Sequence, residues 1–185
     1  LKPSNGSIPA TVDDLRYDNE GDTMRIEFKK KSDGQTILRC IRDDGTATWQ
    51  KDSVGFFPFH DLTHYAVETT LGLHHAFYGI LANGWDIEDF GTPWPKGKIP
   101  RAWEPEASLA ESLVGRLDME RATGCLLTAE EFNRFFLDVC AEAQILVAQT
   151  ITNDDLVRIR SRQQELFALL RALQPGETLS LPFPV

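Results

Sequence analysis

Met24-Arg25-Ile26-Glu27-Phe28-Lys29 alternates apolar and charged side chains, and the residues after it repeat a strand-like texture between two glycine-bearing turns. Alternation with a period of two marks a strand that is half buried. Ser32-Asp33-Gly34 supplies a tight turn, because glycine accepts the positive φ that hairpin turns require. Residues 35–42 read as a second strand, Asp43-Asp44-Gly45 as a second turn, and 46–50 as a third strand. The stretch is therefore a β-meander. Residues 178–183, short and apolar, are expected to return to the same sheet.

Working outward, Pro58 marks the first turn of a long helix over 58–82. Residues 83–105 break regular structure with Asn83-Gly84, Gly91, Pro93, Pro95, Gly97, Pro100 and Pro105. A helix is expected over 106–121, stopping before Gly124. The next opens with Thr128-x-x-Glu131, a capping-box pattern, and runs to about residue 149. A last helix spans from near Asn153 to just before Pro175-Gly176. The expected fold is α+β: a small antiparallel meander of three or four strands packed against about four α-helices. Residues 1–20, with Pro3, Asn5, Gly6 and Pro9, read as an N-terminal arm, and 21–185 as a single domain.

Composition narrows the function classes. At 185 residues the chain is long enough to bury a core without disulfides or a structural metal. Its net charge is −9, with 28 acidic against 19 basic residues, which opposes binding to a phosphate backbone. Arg158, Arg160, Arg162 and Arg171 share their helix with Asp154, Asp155 and Glu165 and read as a solvated face. Cys40, Cys125 and Cys140 are odd in number and lack C-x-x-C spacing, as expected of reduced thiols in a cytoplasmic protein. No apolar run reaches the roughly 18 residues of a membrane span. The partner expected is a small molecule, with neither nucleic acid nor membrane; oligomeric state has no signature.

The chemistry gathers in Phe57-Pro58-Phe59-His60-Asp61-Leu62-Thr63-His64-Tyr65-Ala66-Val67-Glu68. On a helix, His64 lies about 40° and Glu68 about 80° around from His60, so the three form one stripe. Histidines at i and i+4 stand one turn apart, where two imidazoles can converge on a single ion. Neutral imidazole suits Zn²⁺, Fe²⁺ and similar metals. Asp61 and Glu68 are the expected proton carriers, with His60, His64 and Glu68 as metal ligands. Glu68 stands about 12 Å of helix rise from His60, so it reaches His64 more easily than both, and it can instead orient a histidine. A further acid from another helix is then needed, and Glu106, Glu111, Asp138 and Glu142 all qualify. His75 shares the stripe but sits about 22 Å from His60 along the axis.

His60-Asp61-Leu62-Thr63-His64 resembles the H-E-x-x-H motif of metallohydrolases, with Asp in place of Glu. The H-D-x-x-H core also resembles ubiquinone-biosynthesis zinc-motif proteins, whose pattern adds a Glu at the place held here by Ala76; only His60, Asp61 and His64 match. The wider stretch from about Trp49 to Trp94 is similar to an uncharacterised bacterial protein family. The metallohydrolase resemblance implies a divalent metal, most readily Zn²⁺, and metal-assisted hydrolysis, while the bacterial family implies no particular activity. The competing reading is a non-catalytic binding or assembly module. There Asp61 merely opposes the helix dipole, His64 and Glu68 form an ordinary i,i+4 pair, and the polar stripe is a hydrogen-bond network. Trp85, Trp94 and Trp103 within 83–105 make that stretch either a lid or a structural strap.

Overall fold

The computed structural model describes residues 23–53, 55–90 and 99–185. The expected N-terminal arm and Trp94 lie outside the described residues.

Strands β1 (Thr23–Lys30), β2 (Thr36–Ile41) and β3 (Ala47–Ser53) form the meander, and β4 (Thr178–Pro184) closes on the other side of β1. The sheet order is β3-β2-β1-β4, antiparallel throughout. Register follows the alternation: Ile26 faces Cys40 and Leu181, while Phe28 faces Leu38 and Leu179. All six are buried, so one face of the sheet belongs to the core. The fold is α+β, as the sequence implies.

Helix α1 (Phe57–Leu71) lies at the centre, in contact with α3 (Glu104–Thr123), α5 (Asn153–Ala172) and β4. Pro58 occupies its first turn. Residues 61–68 are buried without exception, so this helix is enclosed on every side and its polar groups need internal partners. Several have them: Gln163 donates to Thr63 Oγ1 at 2.8 Å, and Tyr65 donates from its hydroxyl to the Pro182 carbonyl at 2.7 Å. Leu62, Ala66 and Val67 join Leu113, Val114 and Leu117 of α3 and Ile159 and Leu166 of α5 in one core.

The helix expected over 58–82 is two helices. Gly72 adopts φ +67° in the left-handed region and ends α1, its N–H donating to the Glu68 carbonyl. α2 (Phe77–Ala82) restarts after the loop at 72–76. Glu106 of α3 pins that loop by accepting from the backbone N–H of both His74 and His75 at 2.7 Å. His75 therefore leaves the stripe and stacks on Trp103, with ring centroids 5.0 Å apart. α4 (Ala129–Ala143) carries the expected Thr128–Glu131 capping box but stops six residues short of 149, at Gln144 with φ 56°.

A short 3₁₀ turn (Ile87–Phe90) follows α2. Arg42 ties this region to the sheet by donating to the carbonyls of Leu81 and Trp85 and to Asp86. Thr48 Oγ1 accepts from the Ile87 N–H at 2.9 Å. The turn is thus held against β3. Among the described residues, no helix is long and apolar enough to cross a membrane.

Candidate metal site

α1 and α3 meet through two histidine–acid pairs. His60 Nδ1 lies 2.7 Å from Asp118 Oδ2, and His64 Nε2 lies 3.7 Å from Glu111 Oε1. The earlier histidine meets the later acid, so the helices run antiparallel. One ligand-capable atom from each of His60, His64 and Glu111 lies within 4.8 Å of the others. Among the described residues no other group of three His, Cys, Asp or Glu converges in this way. Glu111, whose side chain is 64% exposed, comes to the buried His64 imidazole from the solvent side.

The nitrogens divide by role. Asp118 holds His60 at Nδ1, which leaves Nε2 free. Asp118 is itself fixed by Arg121 Nη2 at 3.1 Å. His64 turns Nε2 toward Glu111 and Nδ1 toward Glu68 Oε1, at 3.3 Å. Asp118 thus takes one nitrogen of His60, whereas both nitrogens of His64 face carboxylates.

Glu68 lies on the far side of the His64 ring from Glu111, at Nδ1 rather than Nε2. Its Oε2 accepts from the backbone N–H of Tyr78 at 2.9 Å and of Gly79 at 3.3 Å, the first free amides of α2. Glu68 is therefore not among the three groups whose ligand-capable atoms converge, and Glu111 is. Of the other acids considered, Glu106 is spent on the 72–76 loop, and Asp138 and Glu142 project exposed from α4. Asp118 was not anticipated. A signal existed: Glu111 and Asp118 stand seven residues apart, two helical turns on one face.

Burial governs the protonation states. It pushes His64 down to about 4, outweighing the attraction of Glu111, so His64 is a neutral imidazole at neutral pH. Burial raises the Asp61 carboxyl to about 7, against the opposing effect of His60. It holds Glu68 well above the usual carboxyl range in spite of the two amide hydrogen bonds. For His60 burial acts downward, yet the Asp118 hydrogen bond and charge prevail and raise it. Asp118 falls below its ordinary value, since its bonds to His60 and Arg121 overcome desolvation.

Three of these side chains contain buried atoms without a hydrogen-bond partner: Asp61 Oδ2, His64 Nδ1 and Glu68 Oε1. Each such atom costs roughly 1–3 kcal/mol. Beside them opens a cleft of about 370 Å³, lined by His60, Asp61, His64 and Glu111 together with Gln50, Phe57, Phe77, Ile87 and Phe90.

No protein-family model, curated protein or solved structure matches the chain. The H-D-x-x-H resemblances accordingly gain no kinship from these comparisons. What stands is geometric: an H-x-x-x-H helix whose two imidazoles meet an acid from a second helix, a group able to hold a metal ion. Its donor set, two imidazole nitrogens and one carboxylate oxygen, is the chemistry that Zn²⁺ and Fe²⁺ accept.

Proposed function

We propose that the protein holds one divalent metal through His60, His64 and Glu111 and is a metal-dependent hydrolase, with Zn²⁺ the first choice. The observation that carries this reading is the division of the imidazole nitrogens. A histidine ligand ordinarily donates its other N–H to a carboxylate, which fixes the tautomer and sharpens the ligand's basicity. Asp118 stands where that role requires, at 2.7 Å from His60 Nδ1, and Glu68 Oε1 lies 3.3 Å from His64 Nδ1 with no hydrogen bond formed between them. A self-sufficient hydrogen-bond network would not leave Asp61, His64 and Glu68 with unpaired buried atoms.

Three protein ligands leave a position for water, whose acidity a bound metal increases. Asp61 lines the same cleft, and its carboxyl, at about 7, is matched to accepting a proton at neutral pH. The reaction is then an acyl transfer to water. The water oxygen bonds to the carbonyl carbon, the carbon–oxygen or carbon–nitrogen bond to the leaving group breaks, and Asp61 passes the water proton to the departing atom. Glu68 orients His64, and Asp118 orients His60.

Elemental analysis tests the reading. Protein purified without added metal is expected to contain close to one transition-metal ion per chain, and Glu111→Gln to lose it. Because Glu111 is mostly exposed, that variant is expected to keep the melting temperature of chelator-treated wild type to within about 0.5 kcal/mol of stability. Equal metal content in wild type and variant, or none in either, overturns the assignment.

A further inference from the structure

Resting on the metal-site reading, we infer the substrate class: a small, uncharged carboxylic acyl compound whose aromatic or branched apolar group lies against Phe77, Ile87 and Phe90. The cleft's volume of about 370 Å³ falls in the range of small-molecule pockets. Apolar surface begins at the ligand itself. Phe77 stands 5.2 Å from the His64 ring and 5.4 Å from Phe90, centroid to centroid. Phe77, Ile87 and Phe90 are only partly buried, so each keeps surface that an apolar group can cover. The wall is also anchored, since Thr48 holds the Ile87 amide and Arg42 holds the turn to the sheet.

Charge then selects among apolar ligands. Among the described residues the lining contains Asp61 and Glu111 but neither lysine nor arginine. Asp118 stands behind His60, and its cation, Arg121, is already bonded to it at 3.1 Å. A ligand bearing its own carboxylate or phosphate away from the metal would find no lysine or arginine among the described lining residues and a buried carboxyl nearby. That is a costly place for a second negative charge. A neutral ring or branched chain meets no such penalty and gains by leaving water.

Three hydroxamates sharing one metal-binding head test this on wild-type protein, with metal content measured in the same sample. Benzohydroxamate is expected to bind at least about tenfold more tightly than acetohydroxamate by calorimetry. 4-Carboxybenzohydroxamate, with a charge on the far end of the ring, is expected to fall at least about tenfold below benzohydroxamate. Phe90→Ala is expected to weaken benzohydroxamate at least about fivefold and to leave acetohydroxamate unchanged. Equal affinities for the phenyl and methyl compounds in metal-loaded protein overturn the substrate class and leave the metal site standing. So does a carboxylated ring that binds as well as the plain one. Protein that holds no metal overturns both.

Discussion

Glu68→Gln separates a metal site from a structural network more sharply than removal of any ligand. In the wild type, Oε2 is committed to the amides of Tyr78 and Gly79, and Oε1 faces His64 Nδ1 at 3.3 Å. Glutamine keeps the shape, but its carbonyl oxygen must take the two amides, which turns its NH₂ toward His64. A donor there demands a lone pair on Nδ1 and moves the imidazole proton to Nε2, the nitrogen that faces Glu111. Metal binding must then reverse the tautomer and set one donor against another. On metal binding His64 Nδ1–H would donate to an ionised Glu68, and losing that bond is worth roughly 1.5–3 kcal/mol, or about 10- to 100-fold in metal affinity. The metal-free protein should respond in the opposite sense. Glu68 has a folded-state pKa above its ordinary value of 4.5, so its contribution to stability is full at low pH and declines as pH rises past that value. Glutamine cannot ionise, so the chelator-treated variant is expected to melt no lower than wild type at pH 8 and to show a flatter pH profile. Competition with a chromophoric chelator measures the first effect, and thermal melts at pH 5 and pH 8 in excess chelator measure the second. Unchanged metal affinity would refute the orienting role of Glu68, and a large drop in melting temperature at pH 8 would refute the burden of its ionisation.

Metal affinity should fall in two stages on acidification. His60, raised above 6.5 by Asp118, takes up the first competing proton, and His64, held near 4 by burial, takes up the second only in that lower range. A two-proton dependence already at pH 6 would contradict this order. Asp61→Asn should retain the metal and lower kcat roughly 10²- to 10⁴-fold on a neutral nitrophenyl ester; undiminished turnover removes Asp61 from the proton path. Gly79→Ala places a Cβ 2.1 Å from the His74 carbonyl oxygen, backbone against backbone, and should cost about 1–3 kcal/mol in chemical denaturation while loosening the amide that holds Glu68. A variant as stable as wild type would show that the loop accommodates the methyl group freely.

What the sequence made legible follows from how local each signal is. Met24, Ile26 and Phe28 alternate because one sheet face is buried, and Thr128 with Glu131 caps a helix within four residues. His60 and His64 share a face for the same reason. Periodicity misleads where it crosses a break. Leu73, Phe77, Ile80 and Leu81 keep helical spacing through 72–76, and Ile145, Leu146 and Val147 continue the apolar texture of α4 past its end at Ala143. Neither stop announces itself by composition alone: Gly72 looks like a tolerated helix glycine, and Gln144 is a residue that rarely enters the left-handed region. Choosing Glu111 over Glu106, Asp138 and Glu142 needs the antiparallel pairing of α1 with α3, which is non-local.

The missed break is also what makes the site chemically possible. In a continuous helix the N–H groups of Tyr78 and Gly79 would be spent on carbonyls one turn earlier. Glu68, fully enclosed, would then have no donors for Oε2, and an acid there would be replaced by an apolar residue at little loss. Ending α1 at Gly72 and restarting at Phe77 frees the first amides of α2, whose positive end favours a carboxylate. With Oε2 fixed by those amides, Oε1 is left facing His64 Nδ1. The glycine at 79 belongs to the same device, since only a residue without a side chain lets the His74 carbonyl lie against the restarting helix. The loop that interrupts the helical pattern is thus the support that sets Glu68 beside His64.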